Sequence, residues 1–506
     1  MPPAGRRRAV LQFAGATLLA LAGCLATTAH AKWGDVPDSS EIFHYDRVSI
    51  VFAAQNLRSP VSQFGHSFLV FHREDDPEPS ALTVEFAGRL EGFDSYLLTL
   101  VGGARGHFLF SYFSYKARDY ELEDRSLWIY ELALTPDEKV RLKRDLVENL
   151  GREFPYGIAR GNCASYIIEA VAAAHSRAHD GESPLFVTPD ATVRWLRHAG
   201  LIASARFRPS RQSMALQAYE TLPGDAQMRV RLTLAGYGGD ESPASTAEQD
   251  AASRAADYLL PREDDADRRS MLLALKRAYG KLNADPPASP DPSLMPGAAT
   301  ASITVDAAGK GTVISIRPGF IGPENADNQR FHNARSEFGR VDLRIADGVS
   351  VDRVVLVHTE SYTVGGYLRD PFTQELGIFY ANYEPNLGSA QRETALDFGR
   401  GLTLAVAGQE LSLMPMVSLK WVSRHQANSP EFRPAARAHL YGALPAGLHY
   451  MASIDRFYNP RLGISQLTSV QLLRPLTRQF GLAVEAATVN TIWSNRVVGV
   501  RAYVNF

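Results

Sequence analysis

The chain has two cysteines, and their positions point to thiol chemistry at one of them. Cys24 lies in an N-terminal export signal, so Cys163 is expected to be the lone thiol of the mature protein. A lone thiol in an oxidising compartment forms a disulfide only with another chain, so a nucleophile is the better interpretation. Asn162 is placed as a helix N-cap, which puts Cys163 in the first turn, where the helix dipole favours the thiolate. The Asn162 side chain also fits a second role, as an oxyanion donor beside the backbone N–H of Cys163.

A thiolate nucleophile needs a base that takes the thiol proton and a group that orients this base. His66 is the best candidate base, because it begins an apolar strand and follows Gly65, which lets another backbone or a substrate approach closely. Glu85 lies on a strand predicted to neighbour His66 and is the candidate orienting residue. His72 is the alternative, and a solvated surface carboxylate is the plain structural interpretation of Glu85.

The sequence gives no sign of a metal or another cofactor. His175 and His179 lie four residues apart on the Cys163 helix, but no acidic or cysteine ligand accompanies them at metal-binding spacing, so a solvent-facing pair is expected. The glycine-rich stretch 102–106 lacks the lysine of a phosphate-binding loop and is interpreted as a flexible connection.

These residues need a scaffold, and residues 40–210 predict an α+β fold. Strands are predicted from runs of Val, Ile, Leu, Phe and Tyr at residues 45–53, 67–72, 81–87 and 127–134. A capping box with proline at the first helical position, Thr135-Pro136-Asp137-Glu138, predicts the start of a helix. A further helix is predicted from Thr188-Pro189 to His198, ending at Gly200.

The whole chain of 506 residues is predicted to have five parts. They are a signal peptide (1–31), a Cys-His domain (40–210), a partly helical extension (211–284), a Pro-rich linker (285–300) and an all-β domain (301–506). Within the extension, a helix is expected over about 264–282 and a polar loop over about 236–252.

The last strand of the β domain carries the clearest pattern. Apolar residues alternate with residues of the other face, which include Arg501, Tyr503 and Asn505; the apolar set is Val498, Val500, Ala502, Val504 and Phe506. An aromatic carboxyl-terminal residue after such alternation resembles the closing strand of an outer-membrane β-barrel. A soluble β-sandwich or barrel has the same period of two, so both interpretations remain open.

The N-terminus predicts export. Arg6, Arg7 and Arg8 precede an apolar stretch that ends at the small-x-small site Ala29-His30-Ala31. A second interpretation is a lipobox over residues 21–24, with Cys24 lipidated, and the start of the signal loosely resembles a twin-arginine signal. Removing residues 1–31 changes the formal net charge from −2 to −5, which disfavours a nucleic-acid partner.

Three sequence blocks together resemble one bacterial family. Ser59 to Phe71 resembles a Ser-Pro-x-Ser-x-Phe-Gly-His motif, Tyr120 to Leu132 resembles a block with a central Arg-x-Leu-Trp, and Asn162-Cys163 with Tyr166 matches an Asn-Cys helix start. In this order and spacing they are similar to the Lnb-type periplasmic domain family, over roughly residues 45–205. In the second block, Arg125 is expected to pair with one of the acidic residues beside it.

The resemblance implies a circularly permuted papain/NlpC-like fold, in which Cys163 takes an acyl group as a thioester and His66 is the base. The family's founding member moves an acyl chain from phospholipid to a lipoprotein, so a phospholipid or lipoprotein substrate at a membrane is implied. That protein continues into membrane helices, whereas this chain continues into β-strands.

Three functions therefore remain open from the sequence. The first is a thiol acyltransferase or hydrolase acting on lipid or lipoprotein acyl groups in the periplasm or at the outer membrane. The second is a cell-wall peptidase or amidase of the NlpC type. The third is a non-catalytic outer-membrane barrel with a periplasmic binding domain.

Overall fold

The structure is a computed structural model, and it describes most of the chain. The described residues are 38–59, 62–73, 80–89, 95, 98–99, 102–175, 187–237, 243, 245–279, 289–295, 297, 299–306, 311–322, 334–381, 392–424, 427–459, 463–490 and 494–505. The predicted signal peptide, Cys24, His179 and Phe506 lie outside them.

The chain divides into two compact units. The first comprises residues 1–50, 67–116 and 131–187, and the second comprises residues 51–66, 117–130 and 188–506. Two of the three sequence blocks, the Ser59 block up to His66 and the first part of the Tyr120 block, therefore group with the C-terminal half of the chain.

An α+β domain comes first in the chain, built on a seven-stranded sheet of order β6-β4-β3-β2-β1-β5-β7. Its strands are β1 (Arg47–Ala53), β2 (His66–His72), β3 (Leu82–Gly88), β4 (Ala104–Tyr112), β5 (Leu127–Leu132), β6 (Phe154–Tyr156) and β7 (Ile202–Arg208). The strands β1, β2 and β3 are buried along most of their length, as apolar runs in the centre of a sheet should be. All four strands predicted from sequence are present.

Helices alternate with these strands and continue beyond them. They are α1 (Phe113–Leu122), α2 (Pro136–Asn149), α3 (Cys163–Ala174), α4 (Pro189–His198), α5 (Arg211–Glu220), α6 (Gly224–Leu234), α7 (Thr246–Leu259) and α8 (Ala266–Tyr279). The capping box of α2 is complete, with Thr135 and Glu138 each bonded to the other's backbone N–H. The predicted starts of α2, α3 and α4 are confirmed.

Two expectations about secondary structure in this part of the chain were wrong. The stretch 102–106 is not only a flexible connection, because β4 begins at Ala104 and pairs with β3. Gly106 serves this pairing, since a Cβ there would lie 2.7 Å from the Phe86 ring. The polar loop over 236–252 is shorter than predicted, because α7 begins at Thr246 with Ser245 as its cap.

The helices α5 to α8 form a core of their own in the second unit. Six of its thirteen buried residues are alanines, which let helices approach closely: Ala215, Ala226, Ala251, Ala252, Ala255 and Ala256. Leu368, in the turn between two barrel strands, is part of the same cluster. In the Pro-rich stretch, Asp291 accepts hydrogen bonds from Tyr130 (2.7 Å) and Arg197 (3.0 Å), so the described end of this stretch is fixed.

The C-terminal part forms a thirteen-stranded antiparallel sheet that closes on itself. Its strands are β8 (Thr300–Asp306), β9 (Thr312–Arg317), β10 (Gly319–Ile321), β11 (Ala334–Ile345), β12 (Val349–Thr363), β13 (Phe372–Ala381), β14 (Arg392–Val406), β15 (Gln409–Arg424), β16 (Ala427–Leu444), β17 (Leu448–Asn459), β18 (Gly463–Pro475), β19 (Phe480–Asn490) and β20 (Ser494–Asn505). Because β20 pairs with β8 and β9 pairs with β11, all but the short β10 form a closed barrel of twelve strands.

The barrel has an apolar outer face. In β20, Val498 and Val500 are exposed, whereas Arg501, Tyr503 and Asn505 are buried, as the alternation predicted. Exposed apolar residues follow the same period of two in other strands: Leu402, Leu404 and Val406 in β14, and Leu482 and Val484 in β19. An outward apolar band on an even number of antiparallel strands is typical of outer-membrane barrels, so the sandwich alternative is excluded.

The inner face of the barrel is charged and closely filled. Acidic, basic and histidine side chains point inward and are buried: Arg317, Glu337, Asp342, Glu360, Glu375, Arg433, His439 and Arg501. They form ion pairs across strands, for example between Arg437 and both Glu375 and Asp455. Side chains thus occupy the interior of the barrel at these layers.

The two ends of the barrel differ. β8 begins and β20 ends at the same end, where Thr300 donates a 2.8 Å hydrogen bond to Asn505. The turn over residues 364–371, which joins β12 to β13, lies at this end as well, because strands alternate in direction. We call it the termini end of the barrel. Among the described residues, none of the helices is both long and apolar enough to cross a membrane.

Candidate functional site

Cys163 is the first residue of α3, and Asn162 caps this helix as predicted. The Asn162 Oδ1 atom accepts hydrogen bonds from the backbone N–H groups of Ala164 (3.0 Å) and Ser165 (2.9 Å). Cys163 itself is buried. The thiol therefore lies at the positive end of a twelve-residue helix, the setting in which a thiolate is stabilised.

The amide nitrogen of Asn162 is also fully engaged. It donates to the carbonyl oxygens of Ile158 (2.9 Å) and Val187 (2.7 Å), which ties two loops to the helix start. Both N–H bonds of the amide are used in this way, so the geometry favours the capping role. Gly161 precedes the cap with φ of +70°, and a Cβ there would lie 2.8 Å from the Pro155 oxygen, so glycine is required.

Aromatic packing fixes α3 against the sheet. The Tyr166 ring lies 4.0 Å from that of Phe86 on β3 and 5.2 Å from that of Phe154. Its hydroxyl donates to the Pro155 oxygen at 3.0 Å. Burial, with a contribution from the charge of Glu169, raises the pKa of Tyr166, so this hydroxyl stays protonated. Since Tyr166 lies one turn after Cys163, this packing holds the thiol in place.

Glu85, the predicted orienting residue, lies on β3 and is buried rather than solvated. Its carboxylate forms an ion pair with Lys116, which is also buried. His72, the alternative, contacts Ser49 through Nε2 at 3.0 Å, and burial lowers the pKa of this histidine. Each of the two candidates thus has a partner within the first unit.

His66, the predicted base, is the first residue of β2 and is half-buried. Its ring centroid lies 6.4 Å from that of Tyr120 on α1. Gly65 before it has φ of +90°, and a Cβ at this position would lie 2.7 Å from the Ala53 oxygen and the Phe52 ring. A left-handed glycine in a tight space therefore sets the direction in which the chain enters β2.

Arg125 connects the second sequence block to the end of β1. Its Nε donates to the Ala54 oxygen at 2.6 Å and its Nη2 to the Ala53 oxygen at 3.3 Å. Its Nη1 lies 3.0 Å from Glu123, which confirms the predicted pairing with an acidic neighbour, and the guanidinium stacks on Tyr120 at 4.7 Å. The contacts with backbone oxygens could not be predicted from the sequence. Every residue has a carbonyl oxygen, so residue type does not show which one accepts a hydrogen bond.

Cys163 belongs to the first unit and His66 to the second. Their pairing stays a prediction. Within the described residues, no group of three or more His, Cys, Asp or Glu side chains is arranged to hold a metal ion. His175 does not face solvent as expected: its Nδ1 lies 2.7 Å from Glu138 Oε1, and its side chain is 13% exposed.

Comparison with known proteins places the N-terminal part of the chain. The sequence pattern of the family described as the Lnb N-terminal periplasmic domain matches residues 36–198. Over these residues, the chain is similar to that family. The match contains Cys163, His66 and Glu85, and it confirms the resemblance drawn from the three sequence blocks. No curated protein matches the chain in sequence.

Several solved structures of outer-membrane proteins resemble part of the chain at low sequence identity. The KdgM porin is 9% identical and covers 41% of this chain and 98% of its own, with a TM-score of 0.25. An outer membrane channel from Pseudomonas putida F1 is 10% identical and covers 44% and 100%, with a TM-score of 0.27. An anion-selective porin from Comamonas acidovorans is 9% identical and covers 41% and 97%, with a TM-score of 0.21.

The barrel assignment depends instead on its own strand pairing and outward apolar band. The chain combines an Lnb N-terminal periplasmic domain with an outer-membrane β-barrel, and it is localised to the periplasm and outer membrane.

Proposed function

We propose that this protein is a cysteine-dependent acyltransferase or hydrolase that acts on lipid or lipoprotein acyl groups at the outer membrane. The observation that carries the proposal is the position of Cys163, a buried thiol at the N-terminus of α3 beneath the Asn162 cap. This arrangement stabilises a thiolate without a metal or another cofactor, because the helix dipole and the first-turn N–H groups supply the positive potential.

The reaction would proceed in two steps, acylation of Cys163 and then transfer or hydrolysis of the acyl group. His66 takes the Cys163 proton, the thiolate attacks the carbonyl carbon of an ester, and the leaving alcohol receives the proton from His66 as the C–O bond breaks. A thioester on Cys163 remains. An amine or water then attacks this thioester, its proton passes to His66, and the thiol is regenerated as the C–S bond breaks.

Two further residues have roles in this proposal. Asn162 keeps α3 and its first turn rigid, so the backbone N–H of Cys163 is available to a developing oxyanion. Glu85 is the proposed orienting carboxylate, and its ion pair with Lys116 would keep it charged while buried.

The barrel supports a lipid substrate. Its apolar band fixes the chain in a bilayer, where phospholipid esters and lipoprotein acyl groups are the electrophiles present at the highest local concentration. A periplasmic domain tethered there meets such groups far more often than a freely diffusing enzyme would.

The test uses the full-length protein in vesicles of phosphatidylethanolamine and phosphatidylglycerol with an isotopically labelled acyl chain. We expect mass spectrometry to find a long-chain acyl adduct on the Cys163 peptide. His66→Ala should slow its formation by about 10²-fold or more, because general base catalysis is lost. His44→Ala is the matched control, since His44 is exposed, and it should behave as wild type.

Two results would overturn the proposal. One is a wild-type protein that never carries an acyl adduct while its barrel is folded. The other is a peptidyl adduct on Cys163 after incubation with cell-wall peptides, which would assign the site to an NlpC-type amidase or peptidase.

A further inference from the structure

The segment that leads to His66 makes its contacts with the barrel. The backbone oxygen of Leu57 accepts hydrogen bonds from Gln374 Nε2 (2.8 Å) and from the Ser361 hydroxyl. Ser361 and Gln374 are direct cross-strand partners in β12 and β13. Two neighbouring barrel strands thus hold one carbonyl of this segment between them.

A second contact lies closer to the histidine. The Ser336 hydroxyl of β11 donates to Gln63 Oε1, and both residues are completely buried. The next residue, Phe64, packs its ring 5.0 Å from that of Phe338, two positions along β11. Residues two apart in a strand share a face, so Ser336 and Phe338 meet the segment from the same side.

Both contacts lie at the termini end of the barrel. Ser336 is near the start of β11, Ser361 is near the end of β12 and Gln374 is near the start of β13. Arg58 also reaches Asp370, at 3.4 Å, but both side chains are well exposed, so this ion pair adds little. The contacts that hold the segment are therefore the half-buried ones through Leu57 and the buried ones through Gln63 and Phe64.

The step from these contacts to His66 is short. His66 follows Phe64 by two residues, so their Cα atoms are at most about 7 Å apart. Gly65 between them has little room to move, because it is packed against Ala53 and Phe52. A displacement of Phe64 or Gln63 would therefore be passed on to the imidazole.

We propose that the termini end of the barrel is a positioning element for His66, with Ser336, Phe338, Ser361 and Gln374 as its positioning residues. We call these four residues the latch. The barrel is a closed ring of hydrogen-bonded strands, which makes it a more rigid support than a loop. The inference rests on the proposed function, in which His66 is the base that deprotonates Cys163.

The test compares full-length variants in detergent micelles. Gln374→Leu keeps the side-chain volume but removes the donor to Leu57, and Ser336→Ala removes the donor to Gln63. Gln471→Leu is the matched control, because Gln471 is a buried barrel glutamine whose hydrogen bond goes to Glu485 on β19. Heat-modifiable migration on gels verifies that each barrel is folded.

Two readouts separate the latch from the chemistry. The first is hydrogen exchange of the backbone amides over residues 56–68, which we expect to be about tenfold faster in each latch variant and unchanged in Gln471→Leu. The second is the pH profile of Cys163 alkylation by iodoacetamide. We expect the latch variants to shift from the wild-type profile toward that of His66→Ala, and Ser336→Thr, which keeps the hydroxyl, to restore it.

The contrary results distinguish a failure of the positioning role from a failure of the proposed function. Unchanged exchange in the Gln374→Leu/Ser336→Ala double variant overturns the positioning role and leaves the proposed function standing. Faster exchange with a wild-type alkylation profile in the latch variants also overturns the positioning role alone. If His66→Ala itself leaves the profile unchanged, the proposed function fails, and the positioning role fails with it.

Discussion

Cys163 and His66 are held by contacts of very different range along the chain. The cap that fixes Cys163 binds Ile158 and Val187, the farther of which is 25 residues from Asn162. The segment before His66 is bound by Ser336 and Gln374, which are 273 and 317 residues away from their partners. The predicted nucleophile is thus held by residues close to it in sequence, whereas the segment before the predicted base is held by the distant barrel strands.

The largest effect is expected in the barrel, which provides the distant contacts of the segment before His66. Arg437→Met should lower the free energy of unfolding by about 3–5 kcal/mol, because Glu375 and Asp455 would stay buried without their cation. Denaturant unfolding in micelles measures this. Arg58→Met, which removes an exposed ion pair, should cost no more than about 1 kcal/mol, and equal losses in both variants would contradict the prediction.

The next largest effect is expected at the local contacts that hold Cys163. Asn162→Ala should destabilise the start of α3 by about 2–3 kcal/mol, since the cap is lost and two carbonyls lose their donor. Asn162→Asp keeps the acceptor for Ala164 and Ser165 but not the donors, so it should cost about half as much. Hydrogen exchange over residues 163–174 measures both, and an α3 that stays as protected in Asn162→Ala as in wild type would argue against the role of the cap.

An effect of similar size is expected at Gly65, which lies between the latch and the predicted base. Gly65→Ala should cost about 2–3 kcal/mol, because it combines a left-handed backbone with a Cβ 2.7 Å from the Ala53 oxygen. Gly102→Ala shares the positive φ, but its Cβ would meet nothing within 4 Å, so about 1 kcal/mol is expected. Comparing the unfolding midpoints of the two variants isolates the contribution of the steric clash at Gly65. Equal losses of stability in both variants would show that this contribution is absent.

The smallest effect concerns the turn beside Arg125. Burial raises the pKa of Asp124 from 3.8 to about 6, although Arg262 acts in the opposite direction. The folded state therefore holds this proton more tightly than the unfolded state, so the contribution is present below about pH 4 and is lost as the pH rises through 6. Asp124→Asn should remove this dependence from the thermal midpoint between pH 4 and 7.

Asp225 provides the control of opposite sign. A hydrogen bond from Arg229 lowers the pKa of this exposed carboxyl, so its contribution is lost on acidification instead. Asp225→Asn and Asp124→Asn should thus change the pH profile of the thermal midpoint in opposite directions. A change in the same direction would show that the pKa of Asp124 is not raised.

The sequence was sufficient to predict contacts between residues that are close along the chain, and it did not predict the distant ones. The Asn162 cap, the Thr135 capping box and the alternation up to Asn505 depend on residues that are close in sequence, so their types and spacing were sufficient. The latch was not predictable, because Gln374 and Ser361 bind a backbone oxygen, which every residue has. The same reason hid the contacts of Arg125 with Ala53 and Ala54.

The burial of Glu85 and His175 was missed for a related reason. Each is an ordinary charged residue in its own stretch, and only the fold brings Lys116 to Glu85 and Glu138 to His175. A charged side chain in a strand or at a helix end is most often solvated, so the pattern alone favoured the wrong environment.

The proposed latch links the proposed chemistry to the assembly of the barrel. β20 pairs with β8 to close the barrel, so we expect Ser336 and Gln374 to take up their positions only after this closure and a precursor crossing the envelope to lack the latch. We expect such a precursor to be dormant and to be switched on by assembly, which would spare the lipids of every membrane it passes on the way. Following thiol reactivity during refolding into micelles would reveal this order, and full reactivity before the barrel forms would rule it out.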